Sequence, residues 1–353
     1  MHKNFMLPQP KTLYQFFLYF LNGSLVFFAI LLVFMQVIYP EPPIVGKYYQ
    51  IKNQINNFDF EPNTSVYKGY IKPSITFFAI PYFSSKPGSL ELINITFRSW
   101  VEQFSFSRII LFNDYSNETA FSQLYDQLKY HLFPTVIEIA PDIEKDEMGM
   151  FYVNDMFSFV FENSQTDIIC FINPDSILHP GFSNQISYIY EYFNSKELQF
   201  SVIGRSCPFF SNITAINENN ETLRLNTMFN QEYSNDFILI SKRYIQVDID
   251  EIPAFHYGMF RWDTWIPGWL SQTIPVVSLG NNCSLYHIEH SRIISESTLY
   301  KISENFEMAS RNSDYTRTYR NSQYSINEYG LMNNSRKLAK FVQESFFDYD
   351  PSK

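Results

Sequence analysis

From residue 75 onward the chain alternates short β-rich apolar runs with segments of helical period, and this alternation restricts the fold more than any other feature. ITFFAI (75–80) is broken by Pro81, and the SSKPG loop leads into a segment where Leu90, Ile93, Phe97, Trp100, Val101 and Phe104 share one face. RIILF (108–112) closes on Asn113 and Asp114. A second helical pattern (Phe121, Leu124, Leu128, Leu132) precedes TVIEI (135–139), and a third (Val153, Met156, Phe157, Val160) precedes IICFI (168–172). Strand-helix repetition of this kind predicts an α/β domain: a Rossmann-like, mostly parallel sheet with helices on both faces and right-handed crossovers.

The run at 168–172 is too short for a free-standing helix and ends in Asn173, Pro174 and Asp175. It reads as a buried strand delivering Asp175 to its C-terminal edge, where open α/β sheets keep their chemistry. Asp175 and Asn173 there are candidates for holding a divalent cation and the diphosphate it bridges, since hard oxygen ligands suit Mg2+ or Mn2+. Asn-Pro-Asp is also ordinary turn chemistry, and the stretch alone leaves both readings open. Beyond it, 186–193 reads as helix, 200–205 as strand, 211–233 as a polar surface excursion, and 236–240 as a strand opening on Asp236. The segment 253–270 concentrates three of the four tryptophans. Strand-like runs at 274–279 and 287–290 close the expected domain, leaving 301–353 as a polar extension with a terminal helix near 336–347.

The first 40 residues differ in kind. Residues 16–39 are almost all apolar, and about 20 such residues cross a bilayer. Lys3 and Lys11 precede them and Pro40, Glu41, Pro42 and Pro43 follow, so the positive-inside rule predicts a cytoplasmic tail (1–15), a signal anchor and a luminal remainder: a type II protein of the Golgi or endoplasmic reticulum membrane. The run exceeds a signal-peptide core and lacks a small-x-small cleavage site. Residues 40–72 read as a stalk and 73–300 as the domain. If these are luminal, Asn63, Asn94, Asn117, Asn212, Asn220, Asn282 and Asn333 stand in glycosylation triplets. The net charge of -10 argues against nucleic acid as partner, and Cys170, Cys207 and Cys283 allow at most one disulfide.

Three groups of reactive side chains follow predicted strands: Asp175, Asp263, and the pair His287 and His290. Singly each has an ordinary use, Asp263 as a helix N-cap and the histidines as satisfied core or surface residues. Together they supply a hard ligand, further ligands and a base able to deprotonate an acceptor hydroxyl. Trp262, Trp265 and Trp269 offer faces on which a sugar could stack, though core packing serves equally well. Asp236, Trp262 and Trp265 are the candidate acceptor-binding residues.

The ordered set ITFFAIP, RSW, RIILFND, TDIICFINPDSIL, GMFRWDTW and HIEH resembles the nucleotide-diphospho-sugar transferases of the GT-A fold, family 2-like, over roughly residues 74 to 292. The resemblance implies a glycosyltransferase using a nucleotide sugar and Mn2+ or Mg2+ on a glycan or glycoconjugate hydroxyl. It implies that Pro81 and Asp114 meet the nucleoside, that Asn173 and Asp175 meet the metal-bound diphosphate, that Asp263 is the base, and that His287 or His290 completes the metal shell. The sequence departs from that pattern at Asn173, Ser176, Met259 and Thr264. Asn173 leaves a single carboxylate in the metal motif, and Met259 lacks the planar fork of the expected Arg. A catalytically inactive carbohydrate-binding or scaffold protein is the alternative. A metal-dependent hydrolase built on the histidines and carboxylates lacks a second dense ligand motif.

Overall fold

The computed structural model describes residues 69–334 except 82–88, 105, 115–116, 180, 205, 210–234, 280–284, 289–295, 318–321 and 328–329. The chain divides into two units, Met1–Ile55 and Asn56–Lys353, and every described residue belongs to the second. The expected span 16–39, most of the stalk and the terminal helix near 336–347 lie outside the described residues. Among the described residues, no helix is long and apolar enough to cross a membrane.

In chain order the elements are β1 (Ile75–Ala79), α1 (Ser89–Val101), β2 (Ser107–Leu111), α2 (Glu118–His131), β3 (Val136–Ile139), α3 (Val153–Asn163), β4 (Ile168–Ile172), β5 (Ser176–Leu178) and α4 (Phe182–Asn194). There follow β6 (Ser201–Gly204), β7 (Ser206–Phe209), β8 (Phe237–Ser241), a 3-10 turn (Ile249–Glu251), α5 (Trp262–Leu270), β9 (Val276–Ser278), β10 (Leu285–Ile288), α6 (Glu296–Arg311), β11 (Tyr324–Asn327) and β12 (Gly330–Asn333). The main sheet has the order β12-β11-β9-β6-β8-β4-β1-β2-β3, and β5-β10-β7 form a smaller sheet. All main-sheet strands run one way except β8 and β12, which pair antiparallel with their neighbours. The mostly parallel α/β sheet expected from the alternation is therefore present.

Successive strand residues point to opposite faces, and each face has its own core. Ile75, Phe77 and Ala79 of β1 join Ile168, Cys170 and Ile172 of β4 beneath α1, α2 and α4. Phe78, Ile169 and Phe171 face the other way, beneath α3 and α5. Phe78, Phe157 and Phe171 meet edge to face or tilted, at 5.0 to 6.3 Å between ring centres. Burying each such ring contributes roughly 1.5–3 kcal/mol, which is why strands of only five residues hold. Cys170 is a free, buried thiol pushed up by desolvation.

The domain extends further than expected. The segment assigned to a polar extension from 301 continues α6 and adds β11 and β12, with β11 parallel to β9. α6 packs Ala309 and Met308 against the core, half-buries Ile302 and Phe306, and leaves Leu299 and Tyr300 exposed. Asn94 also departs from expectation as a glycosylation site: it is 2% exposed on α1 and donates to Gln127 Oε1 at 2.8 Å. Asn117 caps α2 by accepting from Ala120 N.

A buried charged cluster pins the loop that leads into α5. His256 Nδ1 lies 3.0 Å from Asp146 Oδ2, and its Nε2 lies 3.1 Å from Glu304 Oε2. Lys301 Nζ reaches Asp146, Glu147 and Glu304 at 3.3, 3.0 and 3.0 Å. Asn305 brackets the same loop, accepting from His256 N and donating to the carbonyls of His256 and Phe260. Burial raises the Asp146 carboxyl, but bonds from Met150 N, Met148 N and Lys301 outweigh it and hold the group below its ordinary range. Glu304 is likewise lowered, burial being outweighed chiefly by Lys301.

α5 then docks against 315–316 with no room to spare. A Cβ on Gly268 would lie 2.6 Å from Thr316 N and 2.8 Å from Tyr315 C, both backbone atoms that cannot swing aside. Gly268→Ala is expected to destabilise the protein by about 1–3 kcal/mol through overpacking, read as a lower denaturant midpoint at unchanged slope; an unaltered midpoint would contradict this docking. Lys301→Met leaves clustered carboxylates without their cation and should cost roughly 3 kcal/mol near neutral pH. Both carboxyls have lowered folded-state values, so their stabilisation is full above the ordinary carboxylate range and fades as pH falls through it. Thermal melts between about pH 3 and 7 should show that loss in the wild type and a flatter acid limb in Lys301→Met.

Candidate active site

β4 is buried along its whole length and ends where Pro174 removes a backbone donor. Asn173 N still donates to Asp236 O at 3.0 Å, one step beyond the pairing of Ile172 with Phe237, and Ser176 N closes a turn on Asn173 O. Asn-Pro-Asp is therefore a turn, and the turn presents Asp175 at the C-terminal edge. The chain then enters β5, which pairs antiparallel with β10 in a register that sets Ser176 opposite His287. α1 clamps this small strand. Trp100 Nε1 donates to Ser176 O at 2.7 Å, and Leu178 N donates to Ser99 Oγ at 3.1 Å.

That register brings four predicted or flanking residues together. His287 Nε2 lies 3.5 Å from Asp175 Oδ2, and His287 Nδ1 lies 3.7 Å from Asp236 Oδ1. Asn173 Nδ2 donates to the same Asp236 oxygen at 3.0 Å. His287 and Asp236 are 5% and 3% exposed, whereas the Asp175 side chain keeps 23% of its surface, so Asp175 is the carboxylate of the group that meets solvent, beside the half-buried Asn173. Asp263 joins through Asn235: its Oδ2 accepts from Asn235 N at 3.4 Å, and its carbonyl accepts from Asn235 Nδ2 at 2.9 Å. Asp263 is not the N-cap of α5. Arg261 holds that place with φ of +96°, and Asp263 stands in the first turn, where the helix dipole favours a carboxylate.

Pro81 and Asp114 lie just past the ends of β1 and β2, whose last residues Ala79 and Leu111 are in register. They share the C-terminal edge with Asn173 and Asp175. His290 lies outside the described residues. The tryptophans require correction as acceptor-stacking residues. Trp262 is 5% exposed and meets Phe171 edge to face at 4.9 Å; Trp265 is 2% exposed and stacks on Trp269 at 6.0 Å. Rings packed into the core offer no free face to a sugar. Asp236 is corrected in the same sense: as a buried partner of Asn173 and His287 it presents no surface to an acceptor.

Among the described residues no group of three or more His, Cys, Asp or Glu side chains is arranged as a metal centre. Asp175 Oδ2 and His287 Nε2, 3.5 Å apart with Asp175 partly open, nevertheless suit two ligands of one hard cation with bonds of about 2.1 Å. Asp236 on the far ring nitrogen would then orient the imidazole, as outer carboxylates do for ligating histidines. His179 is excluded as a cationic member: burial lowers its pKa to about 4, and its Nδ1 accepts from Gly181 N. Arg261 does not supply the fork missing at Met259. It is 2% exposed and committed to Thr264, Thr316 and Asp314.

Sequence reasoning missed Asn235, the clamp at Ser99 and Trp100, and the cluster around His256. Trp100 stood out in an apolar face and, with Ser99, in the RSW motif, without a role assigned to either, and nothing in local spacing links 146, 256 and 301.

No protein-family model matches the chain, and no curated protein matches it by sequence. Among solved structures it is similar to the mannosyltransferase PcManGT of Pyrobaculum calidifontis in complex with GDP-Man and Mn2+, at 10% identity over 81% of this chain and 75% of that one, with a TM-score of 0.43. It is also similar to GalNAc-T7 with UDP, GalNAc and Mn2+, at 10% identity over 38% of this chain and 23% of that one, with a TM-score of 0.29.

Proposed function

We propose that the protein is a glycosyltransferase, anchored by residues 16–39 in the Golgi or endoplasmic reticulum membrane, that moves a sugar from a nucleotide-sugar donor to a glycan or glycoconjugate hydroxyl. The observation that carries this reading is the meeting of Asp175, His287 and Asp236 at the C-terminal edge of a mostly parallel sheet, with Asp263 tied to the same segment through Asn235. Asp175 and His287 would hold Mn2+ or Mg2+, which supplies charge neutralisation for a departing diphosphate. Pro81 and Asp114 would border the nucleoside. Asp236 keeps the His287 ring in place and, through Asn173, fixes the turn that aims Asp175. Asp263, in the first turn of α5, would accept the proton of the attacking hydroxyl.

A second reading is favoured by one feature. Asn173 spends its amide on Asp236, which leaves Asp175 as the single carboxylate of the turn facing solvent. A chain so equipped would keep the fold and bind carbohydrate without turnover.

Calorimetric titration of the full-length protein in detergent with UDP and GDP, with and without Mn2+, separates the two. The glycosyltransferase reading expects metal-dependent binding of one nucleotide, weakened at least about tenfold by Asp175→Asn, a loss of about 1.4 kcal/mol or more. Asp236→Asn should weaken it less, and Asp263→Asn should leave it intact while abolishing sugar transfer. Absence of nucleotide binding under all conditions, together with metal-independent glycan binding, would establish the second reading instead.

A further inference from the structure

We infer that the edge of the main sheet opposite the candidate site, where the parallel strands begin, rests against the surface of a lipid bilayer. The inference builds on the proposed membrane anchor and adds an orientation for the domain. The two edges are separated by the length of the strands, roughly 16 Å for five residues.

Exposed apolar side chains are distributed unequally between these edges. Among the described residues the four most exposed large hydrophobic side chains are Phe133 at 84%, Tyr130 at 77%, and Ile71 and Phe106 at 74%. All four lie at the strand-start edge. Ile71 precedes β1, Phe106 immediately precedes β2, Tyr130 stands in the last turn of α2, and Phe133 lies between α2 and the start of β3. Val136, the first residue of β3, and Tyr244 and Ile245, which follow the reversed strand β8, are exposed at the same edge. The pairing of Ile168 with Ser241 puts the end of β8 beside the start of β4. A groove of about 1110 Å³ runs between these elements, with Phe104, Phe106, Leu132 and Phe133 beside Arg98 and Arg108 in its walls. Soluble surfaces rarely gather so many large apolar groups in one place without a partner.

The chemistry of this edge suits the bilayer interface. Phenylalanine and isoleucine supply apolar insertion, and the tyrosines belong at the depth where ring and hydroxyl meet different solvents. Lys72, Lys129 and Arg243 flank them with stems long enough to keep their charges among headgroups. Glu102, Glu138 and Asp167 stand at the same edge, and Arg108 and Arg243 pair with Glu138 and Asp167. Five basic groups (Arg98, Arg108, Lys72, Lys129 and Arg243) against three acidic ones leave an excess of two positive charges, so anionic headgroups would strengthen the contact without being required for it.

The position of the incoming chain points the same way. Tyr70 packs edge to face on Tyr188 at 5.2 Å, and Ile71 N donates to Glu191 Oε1, so the chain arrives in the domain at this edge. Residues 40–68 separate that point from the apolar run 16–39. These 29 residues reach at most roughly 100 Å even when fully extended, and the chain joins the domain at this edge and not at the edge that carries the candidate site. The candidate site then opens on the side facing away from the lipid.

The test places full-length protein in phosphatidylcholine vesicles whose acyl chains carry bromine near the headgroup. One tryptophan is added at the proposed contact, Phe133→Trp, or at the opposite edge, Met148→Trp, and the emission of the unsubstituted protein is subtracted. Both positions are exposed, so neither substitution disturbs the core. Bromine should quench the added tryptophan at 133 several-fold more than the one at 148, without any requirement for anionic lipid. Equal quenching at the two positions, in protein that floats with the vesicles, overturns the lipid contact and leaves the anchor standing. Protein that does not float with the vesicles overturns both. An unquenched 133 in protein whose oligomer is broken by Phe106→Glu and Phe133→Glu identifies a second copy of the chain as the occupant and overturns the lipid contact.

Discussion

Three residues of β5 pair antiparallel with β10, and the geometry of the candidate site depends on that pairing. The register sets Ser176 opposite His287, and because Asp175 immediately precedes Ser176, the carboxylate and the imidazole arrive side by side from segments more than a hundred residues apart. A slip of one residue would turn His287 to the other face of its strand and empty the site. So short a ladder is weak alone, and the fold reinforces it from α1, where Trp100 and Ser99 bond its backbone, and from β7, which runs parallel to β10 on its other side. A buried imidazole and a buried carboxylate are costly unless matched. Asp236 meets that condition by facing His287 and accepting from Asn173, so the group that compensates the burial also fixes the ring.

The other side of the site obeys a similar rule with different parts. Asp263 is positioned by α5, and α5 by a loop held at both ends. The cluster of His256, Asp146, Glu304 and Lys301 fastens its start, and Arg261, in the left-handed region, turns the chain into the helix while its guanidinium grips Thr316 and Asp314. Buried charges of this kind add little net stability over apolar packing, but they tolerate few alternative arrangements. Here they fix where a carboxylate stands relative to a strand edge, a task that apolar contacts, being non-directional, perform poorly.

Much of this was legible in the sequence for a physical reason. Strand and helix periods are local, so the runs at 75–80, 108–112 and 168–172 and the faces between them could be read without knowing what they touch. The C-terminal position of Asp175 followed from the same logic, because a parallel strand carries its end to one edge. What escaped was long-range or non-periodic. The last two strands are four residues each, so 312–334 reads as polar tail until its partners are known. Trp262 and Trp265 read as a sugar platform because a run of aromatics looks the same whether it faces solvent or core; burial decides, and burial is a property of the whole fold. The bonds of Asn235 to Asp263, and the contacts of His256 with Asp146 and Glu304, cross wide separations with no spacing rule to reveal them.

The sheet's polarity connects the two ends of the argument. A parallel sheet has chemically distinct edges: strand ends release loops that carry side chains such as Asp114, Asn173 and Asp175, whereas strand starts receive helices at their C-termini, where Arg98 and Lys129 stand beside exposed rings. The antiparallel strand β8 couples these edges. It begins next to Asp236 in the site and ends at Ser241, beyond which Arg243 bonds Asp167 and Lys242 bonds the carbonyl of Ser164. The same five buried residues thus support a catalytic candidate at one end and a proposed lipid contact at the other. On the proposed reading, a rigid central strand of this length sets the height of the site above the bilayer, and with it the reach of any acceptor that remains attached to the membrane.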